Sequence, residues 1–82
     1  MPTVMRIGAL RVVIYLNDHR PAHVHVLGQG HEAVFELSGP RGQAMIRENY
    51  GFQRREIAAI SPELDREMAA LTAAWERIHG KD

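Results

Sequence analysis

The chain has no cysteine, which removes disulfides and thiolate metal ligation at once. A reducing cytoplasm is the expected compartment for such a composition. Long apolar runs are missing too, and none approaches the ~20 residues of a membrane span. Arg6 and Arg11 interrupt the apolar residues where a signal peptide would need an unbroken stretch. Neither membrane insertion nor export is therefore expected. Lysine is nearly absent, because nine of the ten basic residues are arginine, the side chain suited to bidentate contact with phosphate or carboxylate. No P-loop, dinucleotide-binding glycine pattern, nucleophile elbow or zinc-finger spacing occurs. Ser38 and Ser61 read better as a turn residue and a helix cap than as nucleophiles.

What is present is an ordinary globular composition, 45% hydrophobic and 24% charged over 82 residues, enough for one small domain. Residues 1–50 read as a sheet-forming part and residues 51–80 as a helical part. Net charge is zero but unevenly placed. Residues 1–55 hold seven arginines against four acids, and residues 56–82 hold six acids against three basic residues. Two halves that attract each other explain this most simply, and an anion-binding first half is the sharper reading.

Val4 to Ile7 and Leu10 to Leu16 flank Gly8-Ala9, which fits a two-residue type II′ hairpin. That turn pairs Ile7 with Leu10, Arg6 with Arg11, Met5 with Val12 and Val4 with Val13. Leu10, Val12, Ile14 and Leu16 then share a core face. After the turn-forming stretch Asn17 to Ala22, His23 to Leu27 makes a third strand. A four-residue loop, Gly28 to His31, returns it as Glu32 to Leu37. Val24 then faces Phe35 toward the core, and His23 faces Glu36 away from it. Ser38 to Gly42 is a breaker cluster, and Gln43 to Arg47 reads as a short fifth strand. Ile57, Ile60, Leu64, Met68, Leu71, Trp75 and Ile78 form one apolar stripe at helical spacing. Ser61-Pro62 is the expected break or kink, with Ser61 as cap and Pro62 at the first helical position. Gly80 stops the helix, and Lys81-Asp82 follows as a frayed end. The fold so read is α+β: an antiparallel meander of four or five strands, then one kinked or two C-terminal helices on one face.

The second sheet face collects Arg6, Arg11, Tyr15, His23, His25, Glu32 and Glu36, interspersed with Val4, Val13, Leu27 and Val34. Three of the five histidines fall within positions 19–25. In a strand His23 and His25 point the same way. Arg6 opposite Arg11 is a like-charge pair that calls for an anion nearby. Three chemistries fit this face. His-x-His can chelate a divalent transition metal, with His19 as a third imidazole and Glu36 or Glu32 as an oxygen ligand. Arg6, Arg11, Tyr15, His19, Arg20, His23 and His25 can instead bind an anionic group, RNA among the candidates, and histidine can do acid–base work there. The third reading is structural, with His23 bonded to Glu36 and His19 or His25 bonded to loop backbone.

The stretch Asn17-Asp18-His19-Arg20-Pro21-Ala22-His23-Val24-His25 resembles a known family. So do Met1-Pro2-Thr3-Val4, Arg47-Glu48-Asn49 with Gly51-Phe52, the helix start Arg54-Arg55-Glu56 and the late Trp75. Together they are similar to small bacterial proteins grouped as domain of unknown function 4160. The chain departs from that pattern at Ala22, where proline is usual, at Leu71-Thr72, where Leu-Leu is usual, and at Pro62. The resemblance implies a cytoplasmic bacterial protein encoded beside a second small protein, in an arrangement like a toxin–antitoxin pair. It implies no catalytic residues. The function expected from residues and resemblance together is a small interaction protein whose His/Arg face binds an anionic group. Its partner would be a second small protein or another copy of the chain. The alternative is a metal-binding domain or metal-dependent enzyme centred on His23 and His25.

Overall fold

A computed structural model describes residues 3–80, so the expected frayed end at Lys81-Asp82 lies outside the described residues. The elements run β1 (Thr3–Ile7), β2 (Leu10–Val13), β3 (His23–Gly28), β4 (His31–Glu36), β5 (Met45–Tyr50), α1 (Arg54–Arg66) and α2 (Met68–His79). The five strands form one antiparallel sheet in sequence order. The meander and the two helices after it are the α+β architecture that the periodicities imply.

The hairpin turns set the register. Gly8 takes φ +57°, as the first central position of a type II′ turn requires. Ile7, Arg6 and Met5 face Leu10, Arg11 and Val12 as expected. Val13, however, faces Thr3 rather than Val4, because a bulge at this open edge takes up one residue. The β3–β4 loop is shorter than the four residues expected. Gln29 and Gly30 both adopt positive φ, which closes a two-residue turn and lets Gly28 pair with His31. The pairings His23 with Glu36 and Val24 with Phe35 stand as read.

Three boundaries differ from the sequence reading. β2 ends at Val13, and the chain leaves the sheet after Ile14 into a turn closed by Asp18 N–H on the Tyr15 carbonyl (3.1 Å). Strand alternation no longer applies beyond that point, so Leu16 is 74% exposed instead of in the core. The fifth strand starts later than Gln43 and runs to Tyr50. Gln43 accepts from Gly39 N–H, and Ala44 N–H donates to Asp65, so these groups serve the loop and not a ladder. The helical break falls at Glu67, not at Ser61-Pro62. Pro62 lies inside α1, and the Ser61 hydroxyl donates back to the Ile57 carbonyl (3.1 Å) instead of capping. The bond Pro62 cannot make belongs to exposed Ala58, whose carbonyl has water available, while Ile60 and Leu64 on the other side stay buried. The helix tolerates proline because its packed face is not the face that loses a bond. Its true start is a reciprocal capping box between Gln53 and Glu56.

The core lies between one sheet face and the helices. Val12, Ile14, Val24, Val26, Ala33 and Phe35 from the strand side join Phe52, Ile60, Leu64, Leu71, Ala74 and Trp75 in one buried cluster. Trp75 is 2% exposed, so its expected place under the sheet is the observed one. Helix α2 runs from this core toward the end of the sheet where β3 begins. That brings its last turn against the loop between β2 and β3.

Candidate functional site

The loop Tyr15–Ala22 folds back over the start of β3, and its conformation is set locally. The Asp18 carboxylate accepts the Tyr15 backbone N–H (2.9 Å) while the Asp18 N–H donates to the Tyr15 carbonyl. This reciprocal turn is the kind that aspartate favours. It points the Asp18 carboxylate at β3, where alternation has already placed the two imidazoles side by side. Long-range contacts then clamp the loop from the helix side. His79 Nε2 donates to the Tyr15 carbonyl (3.0 Å), and Arg20 donates to the Gly80 carbonyl (3.0 Å).

Asp18, His23 and His25 converge. The Nε2 atoms of His23 and His25 lie 3.3 Å and 3.1 Å from Asp18 Oδ1, and one ligating atom from each of the three residues falls within 4.8 Å of the others. The opposite ring nitrogens are already engaged. His23 Nδ1 lies 2.9 Å from the Pro21 carbonyl, and His25 Nδ1 lies 2.9 Å from Glu32 Oε2. A carbonyl and a carboxylate only accept, so both Nδ1 atoms carry the proton. Each Nε2 faces the same carboxylate, where it can donate a hydrogen bond if protonated or offer its lone pair to a cation if not. Both Nε2 atoms lie about 3 Å from Asp18 Oδ1.

The site is largely enclosed: the side chains of His23, His25 and Asp18 are 7%, 13% and 11% exposed. Aromatic rings wall it. Tyr15 meets His25 edge-on with ring centres 4.6 Å apart, and Trp75 lies 5.3 Å from His23 and 4.2 Å from His79. Burial works to raise the Asp18 pKa, but the Tyr15 N–H and the two imidazoles outweigh it and hold the carboxyl below its usual range. Burial pushes the Tyr15 phenol up, reinforced by Glu32 and Asp18 and opposed by Arg11.

Two clefts open beside this cluster. The larger, about 290 Å³, brings His23 and His25 together with His19 and Arg20 from the loop and Arg47 and Glu48 from β5. The smaller, about 190 Å³, lies between the loop and Trp75 and His79 of α2. Of the residues the sequence singles out, His23, His25 and Tyr15 meet in the cluster, and His19 and Arg20 line its approaches. His19 is exposed and does not join the three ligating groups. Glu36 stands opposite His23 in register, but its carboxylate turns toward Arg47 (4.0 Å), so the Pro21 carbonyl and not Glu36 orients the ring. Arg6 and Arg11 face each other in a separate row, continued by Leu27 and Glu32, and line neither cleft. That row lies beside the histidines on the same sheet face, and its Glu32 meets His25 Nδ1 at 2.9 Å.

Asp18 is the residue that sequence reasoning missed as a ligand, since it read as turn chemistry only. The available signal was its type, a carboxylate five and seven residues before the His-x-His pair. Trp75, His79 and Arg47 carry no local signal for membership, because the fold alone brings them near.

The family described as a domain of unknown function (DUF4160) matches residues 10–76, and the chain belongs to it. No curated protein and no solved structure matches the chain. No helix among the described residues is long and apolar enough to cross a membrane.

Proposed function

We propose that this member of the DUF4160 family binds one divalent transition-metal ion through Asp18, His23 and His25. One observation carries the reading: two imidazoles with their Nδ1 protons committed elsewhere direct both Nε2 atoms at one buried carboxylate. A cation between them would give both Nε2 lone pairs and the carboxylate one common partner. Bonds of ~2.1 Å at near-tetrahedral angles hold neighbouring ligand atoms roughly 3.4 Å apart, close to the 3.1 and 3.3 Å found. The supports behind the ligands are those that metal-bound histidines use, a carboxylate behind His25 and a backbone carbonyl behind His23. Two nitrogens and one oxygen suit zinc, nickel, copper or iron. Three protein ligands leave a coordination position open, as sites that engage a substrate do.

The test is calorimetric titration of zinc and nickel into protein purified without a His-tag and stripped with chelator. One ion per chain is expected, with binding abolished by Asp18→Ala, His23→Ala or His25→Ala and retained in His19→Ala. Binding that survives all three ligand substitutions would refute the assignment. Trp75 supplies a second readout, because its ring lies 5.3 Å from that of His23 and a paramagnetic ion such as nickel or copper should quench it.

A second reading, a protein-interaction role in a two-gene module, draws support from β5. This strand closes the sheet with only β4 beside it, and all six of its residues are exposed, Met45, Ile46 and Tyr50 among them. An open edge with apolar side chains is a template for strand addition by a partner or a second copy. Ile46→Lys with Tyr50→Lys should abolish such association in analytical ultracentrifugation while leaving metal affinity unchanged.

A further inference from the structure

We propose that the metal at Asp18, His23 and His25 presents its open position to a terminal phosphate group, a dianion held in the larger cleft by Arg47 and Arg20. The inference rests on the metal reading and adds the class of ligand to it.

The cleft is shaped for this by an irregularity in the sheet. Val34 pairs with Glu48 but Phe35 pairs with Ile46, so Arg47 is an extra residue with no partner of its own in β4. Bulges of this kind re-aim a side chain, and they gather beside functional sites. Here the bulge lets Arg47 and its neighbour Glu48 both line the cleft that holds the two imidazoles. Arg20 reaches the same space from the loop that carries Asp18. Both guanidiniums keep donors unspent. Arg47 has only a 4.0 Å approach to Glu36 and a 41% exposed side chain, and Arg20 gives one N–H to the Gly80 carbonyl. The Glu48 carboxylate on the rim accepts from the Tyr50 hydroxyl at 3.1 Å.

Charge decides the ligand. Among the cleft's charged residues two guanidiniums balance two carboxylates, Asp18 and Glu48, so the cleft by itself has no preference for an anion. A divalent ion tips the same lining to two positive charges, which suits an anion such as a phosphate monoester, while Glu36 behind Arg47 and Glu32 behind His25 lie outside that lining. A carboxylate can serve a metal and two guanidiniums only by sharing an oxygen between two of them. A tetrahedral phosphate has an oxygen for each. Bidentate arginine contacts suit those oxygens.

The experiment measures binding of inorganic phosphate, glycerol phosphate, dimethyl phosphate and acetate to zinc-loaded protein freed of excess metal, and to the stripped protein. Inorganic phosphate and glycerol phosphate are expected to bind the loaded form alone, with dimethyl phosphate and acetate at least ~tenfold weaker, as loss of one strong charged contact implies. Arg47→Gln should weaken phosphate binding about ten- to a hundredfold while zinc affinity and thermal midpoint stay at the wild-type values. If zinc binds and phosphate does not, the ligand class is wrong and the metal site stands. If phosphate binds equally without zinc, or equally in Arg47→Gln, the proposal is overturned. Should zinc itself fail to bind, both readings fall together.

Discussion

His25 Nε2 lies 3.1 Å from both carboxylate oxygens of Asp18, while the same ring's Nδ1 lies 2.9 Å from Glu32. A single imidazole is therefore gripped by acceptors at both ends. Without a metal, both contacts are hydrogen bonds only if the ring is an imidazolium. With one, the Nε2 lone pair has a cation to bind. The two states differ in what the Asp18 position must supply, and substitutions there separate them.

Asp18→Asn tells a ligand from a structural partner. The asparagine carbonyl can still accept the Tyr15 N–H, and its amide can donate to the Nε2 lone pairs. The metal-free protein should therefore keep its thermal midpoint to within a few degrees, while zinc affinity falls by two orders of magnitude or more. In the wild type, zinc at a hundredfold excess over Kd should add about 2.7 kcal/mol. For a domain of this size that is roughly 10 °C or more in differential scanning fluorimetry. Equal zinc stabilisation of both proteins would remove Asp18 from the ligand set.

Acid stability reports on the same carboxyl. Although burial works against its ionisation, the Tyr15 N–H and the imidazoles lower the Asp18 pKa below its ordinary 3.8. A depressed folded-state pKa gives stability that is complete above the ordinary value and is lost as pH falls through the lower, folded-state value. Urea midpoints of metal-free protein measured down through this acid range should decline more steeply for wild type than for Asp18→Asn. Parallel curves would show that Asp18 gains nothing from its surroundings.

Trp75 belongs both to the core and to the wall of the site, being 2% exposed and 5.3 Å from the His23 ring. Trp75→Ala should cost about 3–5 kcal/mol, as buried aromatic truncations do. Trp75→Phe should retain most of that stability and the metal affinity. A near-neutral urea midpoint for the alanine variant would place the ring outside the core.

Pro62 offers a stabilising change. Placed inside α1 with an exposed ring, it forfeits one backbone bond and gains no packing. Pro62→Ala restores the N–H and improves helix propensity, and should raise stability by about 1–3 kcal/mol with zinc affinity untouched. A loss of stability would mean that the proline ring or its stiffening of the unfolded chain matters more than the missing bond.

Much of this protein is decided by the local order of its residues. Alternation in His23 to Leu27 and in Glu32 to Leu37 sets which side chains share a face, so the neighbouring imidazoles follow from period two, and the turn at Gly28 to His31 adds the pairing of His23 with Glu36. The stripe from Ile57 to Ile78 likewise marks the buried side of α1 and α2 before any contact is known. What periodicity cannot reach is anything settled by competition for hydrogen bonds or by distant packing. Pro62 is a helix breaker by propensity, yet Ile60 and Leu64 hold α1 together across it, and the chain breaks at Glu67 instead. Glu36 is the right residue in the right register for His23, but Arg47 draws its carboxylate and the Pro21 carbonyl takes the ring proton. Asp18 joins the histidines because its own turn aims it, and α2 holds that turn in place through His79 and Arg20. The histidine pair is a property of one strand. The three-residue site exists only where a loop, a strand and the last turn of a helix more than fifty residues away meet.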